Sequence, residues 1–158
     1  MIEHNPLYQA MKDAVSQTFE NMAFTEVIEH IDQTLIIPEE DLAWCSLVIK
    51  DPVQGEIRVA TSKSGLRDLT GAIFSLAENE ITQSQMDDIL HELLNTIAGL
   101  FMTKLLAENQ QFEIGLPESG EGSLPNIDAD TLIWKLMTGD ETPLQIFITG
   151  ASLVALND

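Results

Sequence analysis

The chain is 158 residues long, 44% hydrophobic and 21% charged, a composition that fits one ordinary folded domain and excludes a disordered or fibrous chain. Its 26 acidic residues against 7 basic ones give a formal net charge of −19 at pH 7, so neither a nucleic-acid backbone nor an anionic lipid surface suits it, and a cationic patch does. The first residues have neither the basic segment nor the apolar stretch of a secretory leader, and no apolar run approaches a membrane span, so a cytoplasmic location is expected.

From about Leu7 to Ile31, Met11, Val15, Phe19 and Met22 recur at steps of three and four, which predicts an amphipathic helix. QTLIIP, ending at Pro38, reads as a strand. Trp44–Ile49 and Glu56–Ala60 are β-rich runs joined by DPVQG, a hairpin with Pro52 and Gly55 in its turn. LRDLTGAIFSLAE reads as a second helix, at about residues 65–78, with Gly71 unfavourable inside it. A third, the clearest, starts at an N-cap of Thr82 or Ser84, has Asp87 and Asp88 near its positive end, and runs to about Asn109. QFEIGLP reads as a strand closed by Pro117, ESGEGSLPNIDAD as a mobile polar loop marked by Gly120, Gly122 and Pro125, and TLIWKLM and PLQIFIT as strands around a GDET turn. Trp44 and Trp134, within strands, are core or sheet-face residues.

The order of elements repeats: helix, strand, strand hairpin. Residues 16–24 align with residues 88–98 by placing Ser16 on Asp88, Glu20 on Glu92 and Ala23 on Asn95, and Pro38 and Pro117 close corresponding strands. The chain is therefore read as a single domain, residues 1–158, built from two copies of an α/β unit, about 7–62 and 82–151, joined by the helix at about 65–78. Cys45, the one cysteine, lies in the apolar run AWCSLVI and is expected to be a core thiol. His4, His30 and His91 are scattered without ligand spacing, so no protein-bound metal is expected.

On the third helix, Met86, Leu93, Ile97 and Leu100 fall within a narrow arc flanked by Ile89, Leu90 and Phe101, the face that packs on the sheet. The same rotation of 100° per residue gathers Asp88, Glu92, Asn95 and Gly99 on an opposite arc of roughly 60°. A polar outer face is ordinary, but asparagine and glycine in mid-helix cost on the order of 1.5 kcal/mol relative to alanine, so helix stability did not select them. Gly99 removes bulk beside Asn95 and lets another backbone come close. Met102 falls near this arc, where it could be an exposed docking contact. His91-Glu92-Leu93-Leu94-Asn95 has the first half of a zinc-protease HExxH motif, but Asn95 replaces the second histidine and is a poor zinc ligand. No GxSxG, GxxxxGK[ST] or post-strand GxGxxG is present.

Asp88-x3-Glu92-x2-Asn95, continued as Thr96-Ile97-Ala98-Gly99 and closed by Pro117, resembles the signature of the CheC/CheX/FliY chemotaxis phosphatases. The resemblance implies an α+β fold of duplicated αβββ-type units, with a largely antiparallel sheet and long helices on one face. It implies hydrolysis of the aspartyl phosphate of a CheY-like receiver, with Asn95 and Glu92 as catalytic residues, Asn95 holding the attacking water and Glu92 pairing with the receiver lysine. Asp88 and Gly99 would border the docked receiver. Ala23 stands where the first unit would carry its amide, leaving one intact site, as in the CheX type. No cofactor of its own is implied, since the receiver brings magnesium, and a homodimer is expected, with the final QIFITGASLV as a candidate sheet edge. The alternative is a receiver-binding or flagellar-switch-like module without catalysis. His91 is taken for an ordinary surface histidine.

Overall fold

A computed structural model describes residues 6–30, 32–34, 36–106, 110–124, 131–150 and 153. Helix α1 (Pro6–Ala23) buries Leu7, Met11, Ala14, Val15 and Phe19 at the predicted three- and four-residue steps. It stops well short of Ile31. Phe24 takes a left-handed backbone, φ 53°, and the chain turns straight into β1 (Val27–Glu29). No strand forms over the described part of QTLIIP. Asp32 Oδ1 instead accepts the Thr34 backbone N–H at 2.9 Å and its hydroxyl at 2.6 Å, closing a turn, and Ile37 packs with Leu42, Ala60 and Phe147 on the outer face of the sheet.

The predicted hairpin is present as β2 (Leu42–Asp51) and β3 (Gly55–Ser62), with a cis Asp51–Pro52 bond in its turn. Helix α2 (Lys63–Phe74) begins earlier and ends earlier than the composition indicated. Ser62 Oγ accepts the Gly65 N–H at 3.1 Å, a local N-cap that sets the start, and Ser75 in the left-handed region sets the end. Helix α3 (Gln83–Leu105) starts from Thr82, whose hydroxyl accepts the Gln85 N–H at 3.2 Å while Gln85 Oε1 accepts the Thr82 N–H at 2.9 Å. That reciprocal box explains why Thr82 rather than Ser84 is the cap; the helix ends at Leu105, short of the expected Asn109, because Leu106 takes an extended backbone, φ −90° and ψ 158°.

The remaining strands are β4 (Glu113–Ile114), β5 (Glu118–Glu121), β6 (Leu132–Thr138) and β7 (Pro143–Thr149). All seven belong to one antiparallel sheet ordered β1-β6-β7-β3-β2-β4, with β5 also paired to β2. Two expectations are corrected here. ESGE, read as the start of a mobile loop, is a strand, because Gly120 lies flat against the Trp44 ring, where a Cβ would come within 2.5 Å of Cζ2. Pro125 of that loop is outside the described residues. QIFIT, offered as a free edge, is part of β7 and sits between β6 and β3, so its hydrogen-bonding groups are already used.

All three helices lie on one face. Ala43, Cys45, Leu47 and Ile49 of β2, Ile57 and Val59 of β3, and Leu144, Ile146 and Ile148 of β7 point into a single core with α1, α3 and Leu66 of α2. The period-two alternation of these strands sends Trp44 and Arg58 to the outer face, where the guanidinium carbon lies 5.9 Å from the Trp44 ring centroid. Trp134 points inward, stacked on Tyr8 at 6.0 Å and donating its indole N–H to the Tyr8 carbonyl at 3.2 Å. The fold is thus α+β, with an antiparallel sheet covered by helices on one side, as the resemblance implied.

Cys45 is a core thiol. Burial, reinforced by the Asp87 carboxylate, pushes its pKa up to about 12. The folded chain therefore holds a proton that the unfolded chain releases first, so this group lowers stability progressively as pH rises from the ordinary thiol range towards 12. An aromatic disulfide reagent at pH 8 is expected to leave the native thiol unmodified and to titrate it at once on unfolding.

Candidate functional site

Helix α3 supplies the site. It buries Met86, Ile89, Leu90, Leu93, Leu94, Ile97, Ala98, Phe101 and Met102, an apolar surface wider than the predicted arc because α1, α2 and the sheet all pack against it. Leu100 is only half-buried, whereas Met102 is completely enclosed and is not a docking contact. What remains outside is the predicted row. Asp88, Glu92 and Asn95 are exposed, and Gly99 is partly so. A rise of 1.5 Å per residue sets Gly99 about 6 Å beyond Asn95 along the axis.

The local chemistry differs along the row. The Thr96 hydroxyl reaches Glu92 Oε1 at 3.5 Å, the long limit of a hydrogen bond, so the Glu92 carboxylate stays available to a cation. Among the described residues, no side chain or backbone group hydrogen-bonds the amide of Asn95, an exposed residue that carries both an acceptor and a donor. Asp88 is the sixth residue of the helix, beyond the first turn where the helix dipole acts strongly, so its placement has no dipole explanation. Its neighbour Asp87 accepts from Gln83 Nε2 at 3.0 Å.

His91 departs from expectation. It is half-buried, and its Nε2 is shielded without a partner among the described residues, so it is not an ordinary surface histidine. The rotation of one residue from Glu92 turns it off the exposed row and towards the core, a displacement that composition alone does not reveal. On α1, Glu20 is exposed, Ser16 is half-buried, and Ala23 is the last helical residue before the left-handed Phe24. Pro117 stands between β4 and β5. Among the described residues, no three or more His, Cys, Asp or Glu side chains are grouped to hold a metal, and no helix is long and apolar enough to cross a membrane.

The row lies on a convex helix face. A cleft of about 380 Å³, between Pro38, Ser64, Asp68 and Glu141, is lined by none of its members. Side chains on a convex ridge act by entering a concavity on another molecule.

An antiparallel sheet of seven strands with three helices on one face defines the class of the chain as α+β. The family described as chemotaxis phosphatase CheX matches residues 44–138, more than half the chain, and the chain belongs to that family. Its fold is similar to that of the chemotaxis protein CheX from Vibrio vulnificus, with a TM-score of 0.72 and 12% identity over 90% of this chain and 95% of that one. It is similar to a chain of the CheX–CheY–BeF3–Mg complex from Borrelia burgdorferi, with a TM-score of 0.69 and 19% identity over 89% of this chain and 95% of that one. The FliM middle domain of Helicobacter pylori also shares the fold, with a TM-score of 0.65 and 9% identity over 97% and 93% of the two chains. No curated protein sequence matches the chain.

Proposed function

We propose that this protein is a phosphatase for the aspartyl phosphate of a CheY-like receiver domain, with its one working site on α3. The observation that carries the reading is the outward pair of an unengaged amide, Asn95, and a carboxylate one turn before it, Glu92, on a convex helix of a CheX-family chain. The Borrelia burgdorferi complex of a CheX with a CheY, BeF3 and magnesium supports the choice of partner.

The receiver's own magnesium and lysine would balance the phosphoryl charge, so this chain need supply only orientation. Glu92 pairs with the receiver lysine and anchors the docked helix. Asn95 enters the receiver site, where its carbonyl accepts a water proton and its NH₂ donates to the water oxygen, holding the oxygen in line with phosphorus. Water oxygen bonds to phosphorus as the acyl phosphate P–O bond breaks. The receiver carboxylate and inorganic phosphate leave, and the water proton passes to phosphate or solvent. Asp88 lies at the rim of the contact. Docking through edge strands β1 or β4 would build the homodimer that we also propose; β7 is unavailable for it.

Ala23, standing where the first unit would carry its amide, favours one other reading, a module that binds a receiver without hydrolysing its phosphate. The lifetime of the aspartyl phosphate on a purified CheY-like receiver separates the two. Catalytic amounts of this protein shorten it if the proposal holds, whereas a binder leaves it unchanged or prolongs it.

A further inference from the structure

Three glycines lie inside the helices, and two have reasons within the chain. A Cβ on Gly65 would come within 2.2 Å of the Thr142 side chain, and one on Gly71 within 3.0 Å of Ile81. A Cβ on Gly99 would meet nothing within 4 Å, and its backbone is ordinary helix. Neither packing nor a left-handed φ requires glycine there. Helix propensity argues against it, since glycine is the poorest non-proline residue in a helix interior. Its position is specific: one turn past Asn95, on the arc that holds Glu92 and Asn95, so a body docked over those two side chains passes directly above it.

We infer that Gly99 is the floor of the receiver-docking surface: the bare helix backbone at this point lets main chain flanking the receiver's phosphorylation site descend to van der Waals contact with α3, and that depth lets the Asn95 amide reach the phosphoryl group. The inference rests on the proposed receiver partnership and deepens it, by making steric clearance on α3 a determinant of which receivers are accepted. The Asp88 side chain touches the rim and Glu92 reaches the receiver lysine, while the distance between the two backbones is set at Gly99. A receiver whose main chain stands further out would bind over the same row without receiving the water.

The test uses Gly99→Ala and Gly99→Gln in the full chain, with three readouts: melting temperature, affinity for a beryllofluoride-loaded CheY-like receiver with magnesium, and kcat and KM on the phosphorylated receiver. Both variants are expected to melt at or above the parent temperature, Gly99→Ala by about 2–4 °C, because each replaces a poor helix former without an internal clash. Gly99→Gln is expected to weaken receiver affinity and raise KM by about tenfold or more through steric overlap, and to lower kcat as well, because a receiver held further out leaves the Asn95 amide short of the phosphoryl group. Gly99→Ala should fall between.

A Gly99→Gln protein that melts normally and keeps the parent affinity overturns the inference. So does a lowered melting temperature with unchanged KM, which would assign glycine to the fold. If the parent protein binds the loaded receiver without hastening hydrolysis, the phosphatase reading falls while the affinity series still decides the role of Gly99. If it binds no receiver, both fall.

Discussion

Asn95→Ala is expected to lower kcat on the phosphorylated receiver by about 10²-fold or more while leaving KM and the fold nearly unchanged, as removal of one positioning group does at other sites. The side chain is exposed and makes no hydrogen bond within the described structure, so its loss leaves no buried group unpaired. Alanine is the better helix former, and the melting temperature should rise slightly, if it moves at all. KM should hold because docking is assigned to Glu92 and to the surface around it, whereas the amide acts on a water whose position matters only as the P–O bond breaks. Asn95→Asp is the sharper companion. It keeps size and shape but replaces the NH₂ donor with an acceptor oxygen and sets a negative charge against the phosphoryl group, so it should be no more active than the alanine variant. Unchanged turnover in either protein would remove Asn95 from the mechanism.

Phe101→Ala should produce the largest loss of stability, about 3–5 kcal/mol, against a total of roughly 5–15 kcal/mol for a typical domain. Phe101 is 0% exposed and lies on the same helix, two residues and 200° of rotation beyond Gly99. Removing its ring leaves a cavity in the core beneath α3, whose other members, such as Ile49 of β2 and Ile97 of α3, are themselves fully enclosed and cannot easily move in. Urea unfolding would show a lower midpoint at an unchanged slope. The folded fraction should retain the parent kcat, since the exposed row is untouched. A loss below about 1 kcal/mol would mean that the core under α3 collapses to fill the space. Together with Asn95→Ala this variant separates the two faces of one helix: one carries turnover with little stability, the other stability with little turnover.

The candidate row was legible because it is a property of one helix. Once Thr82 caps α3 and the apolar positions fix its inner side, a constant 100° step decides what lies outside, and Asp88, Glu92, Asn95 and Gly99 follow. The β2–β3 hairpin was legible for a comparable reason, with period-two alternation on both arms and turn residues between them. His91 and Met102 were misplaced because both lie on the border between the faces, where burial depends on how far neighbouring elements wrap around the helix. We further propose that the two halves are copies of one ancestral unit, in which Ala23 marks the site that lost its amide; a variant carrying Ala23→Asn would then show whether α1 can be returned to service.

What local sequence determined here is the pairing of a short-range period with its polar or apolar content: α3 and its row, the hairpin, the inward thiol of Cys45, and a strongly acidic surface. What the tertiary structure decided is how many neighbours each element has. It converted ESGE from loop to strand by laying Gly120 under Trp44, placed β7 between two strands rather than at an edge, and replaced the QTLIIP strand with an Asp32 turn and an outer-face contact at Ile37. Apart from the local Asp32 turn, these outcomes rest on hydrogen bonds and contacts between residues far apart in the chain. Periodicity records which side of a segment is apolar, but not which partner will cover that side or whether both edges of a strand will be paired.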